Sequence, residues 1–302
     1  MATLREIRRR ISGVKSTQKV TKAMKMVAAA KLRRAQDSII AARPYARKMK
    51  ELLGHLSTAV EGITNPFMVE REVKKIALVI VTSDRGLCGA FNSNIIKTTT
   101  SHINKNYADA NLAGNLHLIT IGRKGYDFFV KRNYKIDSKY IGIFSSLNFQ
   151  IAKDIIAELS NGFLTGKYDK VEIIYNEFKS IIQQKIVIEQ LFPISSILSG
   201  EGESRLSTSN SALPTDYIYE PSSKQIIDAL VPKHLNFQIW RVVLESNASE
   251  QGARMTAMDN ATTNARDLIS SLQLIYNKAR QASITKELLE IVSGAEALKK
   301  TG

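Results

Sequence analysis

The chain has 302 residues, 44% hydrophobic and 24% charged, so a packed core is expected and global disorder is excluded. A single cysteine excludes an internal disulfide and points to a reducing compartment, and six prolines leave room for long regular elements. The net charge of +15 calls for an acidic partner, while no apolar run reaches the ~18–20 residues of a membrane span and no secretory signal is visible.

The charge is concentrated at the N-terminus. Residues 1–60 hold fifteen Lys or Arg against Glu6, Asp37 and Glu51, which leaves +12 there and +3 for the remainder. The same stretch carries one heptad register. With Leu4 at a, the a positions read Leu4, Ile11, Gln18, Lys25, Leu32, Ile39, Ala46, Leu53 and Val60. The d positions read Ile7, Val14, Thr21, Ala28, Ala35, Ala42, Met49 and Leu56. An unbroken register of this length predicts a coiled coil about 85 Å long, more than a compact core of this size can hide. A cleavable Arg-rich presequence would have no reason to share its heptad phase with the mature chain, so Met1 onward is read as mature. Pro44 removes one helical hydrogen bond and is expected to kink the rod. Beside the seam, Val20, Met24 and Val27 form a second apolar stripe, and "AMKMVAAA" is apolar nearly all round, the pattern of an enclosed helix.

The middle of the chain alternates strand with helix. "IALVIV" reads as a buried strand and residues 90–107 as a helix. Residues 115–122 read as a strand followed by a helical "RKGYDFFVKRN", and Ile136–Ile141 as a short strand before a helix over 148–164. "KVEIIYNEF" and "KIVIEQLFP" predict a long hairpin, and the alternation predicts a mostly parallel sheet with helices on its faces. Residues 194–215 are Ser/Gly-rich and read as a flexible linker.

"TSDRGLCGAF" after the first strand has the look of a phosphate-binding loop but lacks its parts. Gly86 and Gly89 give G-x-x-G without the third glycine or a ribose-binding acid, and Ala90-Phe91-Asn92 stands where a P-loop needs Lys and Ser or Thr. His55, His102, His117 and His234 are scattered, so nothing activates Cys88 as a nucleophile, and no cluster has metal-ligand spacing. The loop is therefore read as a turn, with Gly86 and Gly89 supplying backbone freedom and Asn92 or Ser93 capping the next helix.

From Ser222 to Leu298 the only glycines are Gly252 and Gly294 and the only proline is Pro232. Apolar residues at Met258, Ala261, Ala265, Leu268, Leu272, Ile275, Ala279 and Ala282 recur at helical spacing and suit packing antiparallel to the N-terminal helix. This helix is longer by roughly 15 residues at 1.5 Å each. Its end, "ITKELLEIVSGAEAL", would extend alone with a wide face of Ile284, Leu288, Leu289, Ile291, Val292, Ala295 and Leu298 that needs a sleeve around it. The expected fold is α/β: a long antiparallel two-helix coiled coil from the N- and C-terminal segments, with an inserted Rossmann-like α/β domain. The expected segments are a helix over 1–60, a globular domain over 75–195, the linker over 194–215 and a helix over 222–299.

The wording of "MATLREIRRRISGVKSTQKVTKAMKMVAAAKLRRAQ", "TSDRGLCGAFN", "DYIYEP" and "ARMTAMDNATTNARDLISSLQLIYNKARQASITKELLEIVSGAEAL" resembles the gamma-subunit family of bacterial F-type ATP synthases over effectively the whole chain. The resemblance implies a rotor shaft inside a hexamer of alpha and beta subunits, and a foot that touches the epsilon subunit and the membrane c-ring. It implies coupling of proton flow to ATP synthesis or hydrolysis by rotation, with no catalytic residue, cofactor or metal of the chain's own. It places the protein peripherally on the cytoplasmic face of the bacterial inner membrane, touching membrane only through the complex. It makes Lys19, Lys22, Met24 and Lys25 contacts to acidic beta-subunit loops. It makes Arg280, Gln281 and Thr285 hydrogen-bonding contacts, and Leu288, Ile291 and Leu298 part of the tail held in the sleeve. A nucleic-acid-binding rod fits less well, because Tyr45 is the only aromatic in the first 60 residues and no base-stacking platform is present. A nucleotide-dependent enzyme lacks its motif.

Overall fold

The structure is a computed structural model that describes residues 3–59, 65–181, 183–194, 220 and 222–301. The linker expected over 194–215 lies, apart from Ile194, outside the described residues. Two long helices bracket the chain, α1 (Leu4–Ala59) and α6 (Ser223–Thr301). Between them come β1 (Ile76–Val81), α2 (Phe91–Asn106), α3 (Ala108–Leu112), β2 (Leu116–Ile121), α4 (Arg123–Val130) and β3 (Ile136–Tyr140). Next in the chain are α5 (Phe149–Leu164), β4 (Lys170–Phe178) and β5 (Gln184–Phe192). The chain forms two compact units, residues 1–29 with 254–302, and residues 30–253, so each long helix contributes to both. Both helices run on through their prolines, Pro44 and Pro232.

Among the described residues of the larger unit, five strands lie in the order β3-β2-β1-β4-β5, with β5 alone antiparallel. β1 is central and all six of its residues are buried, which explains its unbroken apolar run. Its alternation still decides the layers. Ile76, Leu78 and Ile80 pack with Leu116, Leu118, Ile103 of α2 and Phe129 of α4. Ala77, Val79 and Val81 face the other way, into a cluster with Ile155 and Leu159 of α5 and Val231, Leu235 and Ile239 of α6. Each large side chain removed from water here contributes about 2 kcal/mol.

The strand order places a switch point between β1 and β4, where open α/β sheets commonly bind ligands. Here that crevice is filled. Cys88 and Phe91 are buried against Ala253 of α6. A Cβ added to the neighbouring Gly252 would already touch the Ile181 carbonyl oxygen and the Phe178 ring. The loop after β1 also satisfies itself. Asn92 accepts from the Ser83 amide at 2.9 Å and donates to the Ser83 hydroxyl and to Cys88 Sγ. Asp84 accepts from the amides of Arg123 and Gly142, tying the start of α4 to the exit of β3. Two details differ from expectation. Asn92 braces the loop and does not cap α2, whose cap residue is Ala90, while Ser93 donates to the Ala90 carbonyl. The left-handed positions are Leu87 and Gly89, not Gly86. The Leu87 side chain projects into solvent.

Candidate partner-facing surface

The smaller unit is built from the ends of the two long helices. α1 opens with a reciprocal cap: the Thr3 amide donates to the Glu6 carboxylate at 2.9 Å and the Glu6 amide donates to Thr3 Oγ1. Ile7 and Ile11 are buried with Leu272, flanked by Val14, Tyr276 and Ala279. Thr21 meets Thr262 through their hydroxyls at 2.8 Å, and Lys25 meets Asp259 at 2.6 Å. As the number rises on α1 it falls on α6, so the pair is antiparallel.

The α1 heptad reads correctly in this unit. Ile7, Ile11, Thr21 and Ala28 are buried, and Leu4, Val14, Gln18 and Lys25 are half-buried. The α6 seam is different. Met258, Ala265, Leu272 and Ala279 point inward as expected, but the alternate positions are Thr262, Ile269, Tyr276 and Ser283. Leu268, Ile275 and Ala282 face outward, and Ala261 is half-buried at the edge. The physical reason is the polar layer opposite. In this rotation Thr262 and Asp259 lie opposite Thr21 and Lys25 and pair with them across the seam.

That rotation leaves more apolar surface outside than the sequence pattern suggests. Leu268, Leu274 and Ile275 are 44%, 65% and 49% exposed, and on α1 Val20, Met26 and Val27 are 56–60% exposed. Farther along α6, Ile284, Leu288, Leu289, Ile291 and Val292 are all exposed. Of the residues singled out from the sequence, Lys19, Lys22, Arg280, Gln281 and Thr285 are exposed, as are Leu288 and Ile291. Met24 is half-buried on the flank of the seam. Lys25 is half-buried and already has a carboxylate partner. Thr285 donates to the Gln281 carbonyl of its own helix, as an exposed helical threonine does. The side chain of Leu298 lies outside those described. Met26, Leu274 and Asp259 were missed; Asp259 had no signal, because its importance lies in where Lys25 ends up.

Among the described residues no group of His, Cys, Asp and Glu is arranged to hold a metal. None of their helices is long and apolar enough to cross a membrane. A paired-helix rod with exposed apolar side chains, joined in one chain to a five-stranded α/β body whose ligand crevice is filled, defines the class: a structural shaft subunit that works inside an assembly.

The comparisons with known proteins agree. A family described as ATP synthase matches residues 3–298. The chain is 54% identical over 303 residues to the ATP synthase gamma chain of Chloroherpeton thalassium and 56% identical to that of Prosthecochloris aestuarii, each alignment covering both proteins fully. A Tetrahymena thermophila mitochondrial ATP synthase central stalk and c-ring structure contains a chain 26% identical, with TM-score 0.58, over 80% of this chain and 99% of that one. A Euglena gracilis mitochondrial ATP synthase structure of the OSCP, F1 and c-ring has a chain with TM-score 0.68 at 20% identity, over 98% of this chain and 94% of that one. The chain belongs to the ATP synthase gamma chain family. It is the central-stalk rotor subunit of an F-type ATP synthase.

Proposed function

We propose that the exposed apolar surface of the paired helices is the bearing face of the rotor, enclosed by the alpha and beta subunits. The single observation that carries this reading is the row of exposed large side chains from Ile284 to Val292 on α6. Bare in water, such a row is a liability; inside a sleeve it supplies retention. Apolar contact is non-directional, so the shaft can be held nearly equally at several angles. Lys19 and Lys22, with Arg280, Gln281 and Thr285, add directional contacts that favour particular dwell angles. Each exposed charge pair contributes only ~0–1 kcal/mol, enough to tune coupling and too little to hold the rotor. Met24 and Lys25 act at the flank of the same surface, and Leu298 belongs to the enclosed tail.

In this reading the chain performs no bond chemistry. The helical stretches 1–60 and 222–299 transmit torque, and the body over 75–195 meets the epsilon subunit and the c-ring. The protein works peripherally on the cytoplasmic face of the bacterial inner membrane, with proton flow through the c-ring as the drive. The reading needs no cofactor and no nucleic acid.

The test is Leu288→Glu with Ile291→Glu in the full chain. Both side chains are exposed, so the unfolding temperature of the isolated chain stays as it was. Reconstitution with alpha and beta subunits weakens by about tenfold or more, since two buried apolar contacts of about 2 kcal/mol each become desolvated charges. Unchanged affinity for the hexamer would sink the assignment.

A further inference from the structure

The charge map of the larger unit points to a second docking surface. Outside the first 60 residues the whole chain nets only +3, so basic patches there are not a default. A groove of about 950 Å³ nevertheless runs between α2 and α4 and carries Lys97, Lys124, Lys131 and Arg132 against one acid, Asp127. Those five residues net +3 by themselves, as much as residues 61–302 taken as a whole. All five are exposed. The floor is apolar and half-buried: Ile96 of α2 and the Phe128 ring, over which the Arg132 guanidinium lies at 3.6 Å.

We infer that this groove docks an acidic protein segment with an apolar anchor, contributed by another subunit of the assembly. The cations supply complementarity and steering, and Ile96 with Phe128 supplies the desolvated centre that exposed charges alone lack. The lining on α2 runs from Asn92 to Asn104, about 18 Å of helix, which matches roughly three turns of a partner helix. A small anion would use the cations but not the apolar floor. A nucleic acid would use the phosphate-binding cations but finds only one aromatic ring, already covered by an arginine. The inference rests on the reading that this body meets other subunits and adds the groove and the partner's chemistry; it fails separately from the bearing face, because the Leu288 and Ile291 variant leaves this groove untouched.

The experiment places a photo-crosslinking amino acid at Ser101, an exposed residue lining the groove, in the full chain of the assembled complex. Crosslinked peptides are identified by mass. The expected product is a protein segment with net negative charge, with a yield that falls at least about fivefold as salt rises from ~0.05 to ~0.5 M. Lys97→Glu with Lys131→Glu lowers the yield by about tenfold or more, and Lys97→Gln with Lys131→Gln lowers it less. The salt series needs no variant, so the result stands even if the reversed chain fails to assemble. Absence of crosslinks, crosslinks only to lipid or nucleic acid, a neutral or basic protein segment, or a salt-independent yield would each overturn the proposal.

Discussion

Gly122 shows how tightly single residues constrain the α/β body. Its φ is +94°, and a Cβ there would lie 2.1 Å from the Thr82 carbonyl oxygen. Neither the conformation nor the space admits a side chain, so Gly122→Ala destabilises by about 3 kcal/mol or more, read as a lowered urea midpoint with an unchanged slope. Asp137 is a second such point. Burial raises its pKa, but the Lys167 ammonium, His117 and the Tyr168 hydroxyl outweigh that and hold it at about 2, below the ordinary 3.8. The carboxylate is the favoured form in the folded state. Its contribution is therefore complete above about pH 4 and lost as pH falls through 4 towards 2. The shift corresponds to about 2 kcal/mol. Urea titration of Asp137→Asn should show a deficit of that size at pH 7 that closes towards pH 2; a deficit independent of pH would assign the loss to packing instead.

The two long helices carry the register of the smaller unit in one polar layer. Thr21 and Thr262 share a hydrogen bond, and Lys25 and Asp259 an ion pair one turn away. Such a layer adds little stability, yet it selects one rotation of α6 over the neighbouring one that would bury Leu268 and Ile275. Thr21→Cys with Thr262→Cys should oxidise readily to a disulfide, because side-chain atoms at these positions are already 2.8 Å apart. Thr21→Cys paired with Ala261→Cys, one position off, should stay reduced on a non-reducing gel. Equal oxidation of both pairs would show that the register is not fixed by this layer.

For the molecule as a working part, the proposed bearing face is tested at the apolar residues outside the seam. Val20 and Val27 are 58% and 56% exposed, so a charge at either leaves the fold alone and probes the proposed bearing face. Val27→Lys should leave the unfolding temperature within about 2 °C of the parent, since surface substitutions shift stability by at most ~0.5 kcal/mol. In membranes carrying the assembled complex it should lower ATP-driven proton pumping more than ATP hydrolysis. Met24→Lys is a poorer probe, because Met24 is half-buried and its replacement mixes stability with coupling. Equal losses of pumping and hydrolysis with Val27→Lys would mean that Val27 does not face the bearing.

Much of this was legible in the residues. The α1 heptad, the strand–helix alternation and the hairpin of β4 and β5 come from periods of 3.5 and 2, which the chain keeps wherever one face of an element is buried. The inward face of α6 was not legible. Residues 258–282 offer two apolar stripes one position apart, and intrinsic hydrophobicity favours the one with Leu268 and Ile275. The other stripe is the one that sets Thr262 and Asp259 opposite Thr21 and Lys25, which only folding brings there. The filled crevice beside β1 is of the same kind, since Ala253 reaches Cys88 and Phe91 across more than 160 residues of chain. Sequence by itself determines which elements form, because propensity and periodicity are local. Tertiary structure alone decides which faces meet, because the energy of a face depends on a partner that no local pattern names.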